Sequence, residues 1–317
     1  MSTIATDKTV LTPHRGTPIS IRARLQDALP KIVLAPSFAI TLVFVYGFIL
    51  WTIYLSFTNS KTFPSYVLTG PRAYQRLWRW TFESDPPSSW YTSITNMGIF
   101  GVLYVGICLA LGLFLAILLD QKIRGEGILR PIFLYPMALS FIVTGVAWKW
   151  FLDPGLGLEQ TLHHFGWTSF HFDWIKNKDF VIYTVVIAGV WQASGFVMAM
   201  FLAGLRGIDG EIMKAAQIDG ASPFQLYRRI VIPLLRPIFL SAFIVLAHLA
   251  IKSYDLVVAM TDGGPGTATW TPALFMQKFT FGRNEMAMGA SSAIIMMMMI
   301  FSIIVPYLYS ELRERPR

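Results

Sequence analysis

EIMKAAQIDGASPFQLYRRIVIPLLRP, running from Glu211 to Pro237, is a polar and basic segment set between two apolar runs. Glu211 to Ile218 holds good helix formers with small residues on one side. Gly220 can adopt a positive φ and end that helix. Ser222 then suits an N-cap, with Pro223 at the first position of a second helix. Pro233 and Pro237 punctuate the entry into the next apolar run. The stretch therefore reads as helix, sharp turn, helix, and the small residues at the bend let another protein approach the backbone closely.

What flanks it fixes the class. Of the 317 residues, 54% are hydrophobic and only 14% charged, with mean hydropathy +0.53. Soluble domains carry roughly a quarter charged residues, so the expectation is an all-α integral membrane protein. Six apolar spans of about 20 residues or more fall at about 32–57, 97–119, 131–148, 180–205, 238–260 and 286–310, with Pro136 a kink in the third. They make up a transmembrane domain over 29–312, between terminal tails at 1–28 and 313–317, with the organising loop at 206–237. With Lys31 at the head of the first span, the tails, that loop and the 120–131 loop hold 16 of the 26 Lys and Arg residues. By the bias of cations toward cytoplasmic loops, both termini and the Glu211–Pro237 stretch are cytoplasmic. The net charge of +8 is thereby explained without nucleic acid. Residues 1–28 lack an early apolar core, so no secretory signal is expected.

Several chemistries are unsupported. No G-x-x-x-x-G-K-[ST] is present to cradle ATP phosphates, and neither His-Glu-x-x-His nor G-x-S-x-G occurs. Cys108 is the only cysteine. The adjacent His163-His164 lacks a carboxylate at ligand spacing and reads as loop, so no metal and no catalytic residue is expected. Lys252 and Asp255 are the charges inside a span. At three residues apart on a helix they would share a face, where burial of charge favours a bundle interior or wet cavity. Snorkelling of Lys252 to the surface is the structural alternative. Gln192 and Ser194 can serve a substrate or a neighbouring helix.

Ala215-Ala216, Asp219-Gly220-Ala221 and Ile230-Val231-Ile232-Pro233 together resemble the EAA loop of binding-protein-dependent ABC importer permeases, with Lys214 where that family usually has Glu. Met260-Thr261-Asp262-Gly263-Gly264-Pro265 resembles a turn of the carbohydrate permeases in this class. Leu134 to Ser140 and Trp191 to Phe196 look closest to the first permease of bacterial glucose/mannose importers. The resemblance implies a type I importer fold in a bacterial inner membrane, with the helix–turn–helix as a cytoplasmic coupling loop. Glu211, Lys214, Ala215, Ala216, Asp219, Gly220, Ala221 and Pro233 would dock on the ATPase. The implied partners are a second permease, two copies of the ATPase, a periplasmic sugar-binding protein and membrane lipid. ATP and Mg would be bound by the ATPase, with no cofactor in this chain. Alignment with maltose permeases points to Gln192, Phe196, Leu249, Ala250 and Ser253, and the residue types favour Gln192, Phe196, Lys252, Ser253 and Asp255 as substrate pathway. The alternatives are a permease for a polyol or glycerol phosphate, an ATPase-independent carrier, and an intramembrane enzyme.

Overall fold

The computed structural model describes residues 31, 33–83, 88–121 and 125–314. The tail at 1–28, loop residues Lys122 and Arg124, and 315–317 lie outside the described residues. Two compact units divide the chain, Met1–Trp51 and Thr52–Arg317. The boundary falls within α1, an uncharged apolar helix over Val33–Ser56.

In the second unit, helix α2 (Arg72–Glu83) precedes α3 (Ser89–Asp120). The Ser88 hydroxyl caps α3 by accepting from the Tyr91 amide. At 32 residues α3 is about 48 Å long, well beyond a hydrocarbon core of about 30 Å, so it begins earlier than the span expected at 97. Helix α3 packs along α7 (Val181–Arg206), which is the most buried of the candidate spans. Phe100, Tyr104, Cys108, Val197, Met198 and Phe201 belong to their shared core. The short α6 (Leu158–His164) lies in the segment before α7.

The third expected span is two helices. α4 (Glu126–Ala138) and α5 (Phe141–Phe151) meet at 101°. The break is not the kink expected at Pro136. It sits at Leu139, which is extended, and Ser140, whose side chain accepts from the Val143 amide and starts the new helix. A helix N-cap, rather than a missing proline amide, turns the chain.

The fifth span is also interrupted. α8 (Gly210–Ile218) and α9 (Pro223–Leu234) form the organising loop, and α9 meets α10 (Arg236–Ile251) at 64°. Helix α10 covers only about 24 Å before the backbone leaves helical form at Lys252–Tyr254 and re-enters it as α11 (Asp255–Thr261). α11 packs against α5. α12 (Pro272–Gln277) and α13 (Met286–Glu314) complete the chain. Among the described residues, four helices are long and apolar enough to cross a membrane, or up to six spans if each bent pair counts as one.

Gly195 in α7 lies against the backbone of α4. A Cβ at this position would collide with the Phe133 carbonyl oxygen on α4. Backbone cannot yield as a flexible side chain can, so Gly195→Ala is expected to destabilise the fold by about 1–3 kcal/mol or more. Thermal unfolding in detergent would show this as a clear drop in midpoint; an unchanged midpoint would mean α4 and α7 are not in this contact.

Candidate functional site

Two places gather the residues singled out above, one in the 206–237 loop and one in the fifth span. The first is the bend between α8 and α9. Asp209 caps α8, its carboxylate accepting from the Glu211 amide at 2.9 Å. At the other end Gly220 has φ 79°. Its amide donates to the Gln217 carbonyl at 3.1 Å, and the Ala221 amide to the Ala216 carbonyl at 3.0 Å. This is a Schellman termination, which needs the left-handed conformation that glycine supplies. Ser222 then forms a reciprocal capping box with Gln225, with Pro223 in the first turn of α9. Each local choice on both sides of Gly220 therefore specifies the same turn.

The bend presents apolar surface. Ile218 is 86% exposed and Phe224 71%, one on either side of Gly220. Glu211, Lys214, Ala215, Asp219 and Pro233 are exposed, Ala221 is half-buried, and Ala216 is buried against the core. The loop is anchored at its start. Arg206, in the last turn of α7, pairs with Glu126 on α4 and reaches Asp120 of α3 at 3.9 Å. One guanidinium thus ties three helix ends together.

The second place is the interruption after α10. A cavity of about 160 Å³ is lined by Phe100, Tyr104, Phe141, Gly189 and the run Lys252–Leu256, with Leu249. Non-helical backbone at membrane depth is tolerated where it is buried or lines a cavity, and this break does so. The Thr271 hydroxyl donates to the Ser253 carbonyl at 3.0 Å, holding the broken strand of backbone. Tyr104 OH and Ser253 Oγ are buried without a hydrogen-bond partner. Leaving a buried polar group unpaired costs about 1–3 kcal/mol.

The expected pathway set divides. Lys252, Ser253 and Asp255 share the cavity. Lys252 and Asp255 are not on one helical face, because the helix ends between them, and no ion pair among the described residues joins them. Gln192 does not line the cavity. It is 4% exposed, and its amide donates to the Leu139 carbonyl at 2.8 Å, satisfying the α4–α5 break. Phe196 is half-buried against the core and is likewise absent from the lining, as is Ala250. Phe100, Tyr104, Phe141, Gly189, Tyr254 and Leu256 are the cavity residues that sequence reasoning passed over. Tyr104 lies mid-span in an apolar run, where nothing marks its hydroxyl as unpaired.

Two polar surfaces lie elsewhere. Lys61, Arg72, Arg76 and Arg283 surround a cleft of about 460 Å³, with Glu285 paired to Arg76 at 3.1 Å. Before α7, the turn at 170–172 folds onto α6. His163-His164 is not the pairing the fold uses: Glu159, His163 and His171 come together instead. Glu159 Oε2 accepts from the Phe172 amide at 3.0 Å and Oε1 meets His171 Nδ1 at 3.1 Å. These two bonds, the amide first, hold the Glu159 carboxyl below its usual pKa range.

Three comparisons with known proteins bear on this arrangement. The family model described as binding-protein-dependent transport system inner membrane component matches residues 108–317. The chain is 41% identical over 298 residues to a probable ABC transporter permease protein of Pyrococcus horikoshii, covering 93% of this chain and 100% of that one. It is 37% identical over 218 residues to a xylose/arabinose import permease protein of Haloferax volcanii, covering 67% and 68%. A crystal structure of a bacterial ABC transporter involved in alginate import superposes with TM-score 0.77 at 15% identity, over 93% of this chain and 99% of that one. At that identity the likeness is one of fold.

Proposed function

The chain belongs to the family of binding-protein-dependent transport system inner membrane components, and from that premise we propose that it forms half of the pathway for a neutral sugar. It is a multi-pass permease subunit of an ABC importer and not itself an enzyme; ATP is bound by the partner ATPase. The observation that carries the sugar reading is the cavity at the interrupted fifth span. Tyr104 and Ser253, whose hydroxyls are buried without hydrogen-bond partners, line a space also lined by one cation, one anion and three further aromatic rings. A polyhydroxyl solute supplies both donors and acceptors to such a lining, and a neutral one meets no net charge. The cavity falls below the roughly 300–1,000 Å³ of ordinary ligand pockets, in keeping with a pathway completed by a second permease.

A xylose/arabinose permease among the relatives supports a monosaccharide. The glucose/mannose reading rests on the runs at Leu134–Ser140 and Trp191–Phe196 alone. An anionic polyol phosphate is the second reading; Lys252 favours it and Asp255, on the same cavity, opposes it.

The bend at Gly220 docks on the ATPase in this account. The termini and that bend face the cytoplasm, and the 149–179 segment faces outward. Helix α7 separates the two ends by about 39 Å, enough to cross the membrane. The basic cleft of Lys61, Arg72 and Arg283 then suits an acidic face of the binding protein.

Ser253→Ala and Tyr104→Phe each remove one hydroxyl and leave packing nearly unchanged. Uptake by the reconstituted importer, supplied with its binding protein and sugar, is expected to fall about threefold to tenfold for each. Unchanged uptake in both would remove the cavity from the pathway.

A further inference from the structure

We propose that Glu159, His163 and His171 form a binding site for one divalent transition-metal ion of the zinc class. Glu159 and His163 are one helical turn apart on α6, so their side chains rise from one face. His171 reaches them from the turn that follows. One donor atom from each of the three lies within 4.8 Å of the other two.

The hydrogen bonds around the trio favour metal ligation. His163 Nε2 lies 2.7 Å from the Phe170 carbonyl oxygen. A carbonyl can only accept, so Nε2 carries the hydrogen and Nδ1 carries the lone pair. That is the tautomer a metal needs, fixed by the kind of outer contact that orients metal-bound histidines. Glu159 offers Oε1 toward the trio while Oε2 is held by the Phe172 amide. The His171 side chain is 75% exposed, so solvent can complete the coordination.

The donor set selects the ion. Two imidazoles and a carboxylate suit Zn²⁺, Co²⁺, Ni²⁺ or Cu²⁺, whereas Ca²⁺ and Mg²⁺ take oxygen ligands. Bound metal would fasten α6 to the turn at 170–172. From there Phe170, Phe172, Trp174 and Phe180 stack in succession to the start of α7, with centroids 6.4, 5.0 and 5.5 Å apart. A Glu159–His171 contact serving only to hold the loop would need neither a metal nor His163.

The test uses the intact chain in detergent, affinity tag removed and chelator-stripped, titrated with Co²⁺ and then competed with Zn²⁺. One saturable equivalent is expected, with a visible Co²⁺ absorption band that Zn²⁺ displaces. Glu159→Gln and His171→Ala should each weaken binding roughly tenfold or more, while His164→Ala, beside the trio, should leave it unchanged. No saturable binding, or binding that either Glu159→Gln or His171→Ala leaves intact, overturns the proposal.

Discussion

Gly220→Pro is expected to reduce uptake to background while the chain remains in the membrane. Gly220 sits at φ 79°, and proline is locked near −65°. Proline also removes the amide that donates to Gln217. The left-handed termination is therefore impossible, and α9 must leave α8 in another direction. The surface formed by Ile218 and Phe224 would come apart while α7 and α10 stay packed. Gly220→Ala separates shape from bulk: nothing lies within 4 Å of the added Cβ, so its burden is the left-handed backbone alone, about 1–2 kcal/mol. Partial activity is expected there. Uptake at the level of the unmodified chain in Gly220→Pro would mean that the bend does not transmit ATPase motion.

Phe224→Asp is expected to release the ATPase without disturbing the bend. Phe224 is 71% exposed, and an acid in the first turn of α9 is favourable to the helix. A defect in this variant is thus not a loss of fold. A central aromatic anchor at an interface is worth about 2 kcal/mol or more, which corresponds to roughly 30-fold in affinity. Ile218→Ser, on the other side of Gly220, should act in the same direction. The measurement is recovery of ATPase with the chain from solubilised membranes. Undiminished recovery in both variants would place the ATPase contact elsewhere.

The turn at Gly220 was legible because each of its signals is local. Glycine, Ser222 and Pro223 each act within one or two residues, and the structure shows the Schellman bonds and the capping box they imply. The existence of apolar spans was legible for a similar reason. Interruptions inside the spans were not. Nothing in Ala247–Met260 breaks helical propensity strongly, yet the chain leaves helical form at Lys252–Tyr254, where Thr271 takes up the Ser253 carbonyl. That partner lies 18 residues onward and is invisible to periodicity. The α4–α5 break was hidden differently: Pro136 drew attention, while Ser140 had the capping role and Gln192 of α7 satisfied the Leu139 carbonyl. Reading Lys252 and Asp255 as one helix face followed from assuming an unbroken helix, whereas Gln192 came from the alignment with maltose permeases and in the structure bonds the Leu139 carbonyl. The Glu159–His163–His171 cluster was missed because attention rested on adjacent histidines rather than on residues four apart and a turn beyond.

Cross-linking from the bend tests the central claim most directly. Cys108 is the only cysteine and is 0% exposed, so Phe224→Cys introduces the one accessible thiol. A short thiol-to-amine cross-linker applied to native membranes should join this chain to the ATPase from position 224. A cysteine placed at exposed Trp167 of the 149–179 segment should give no such adduct. An ATPase adduct from Trp167→Cys, or none from Phe224→Cys in a complex that still co-purifies with the ATPase, would contradict the account.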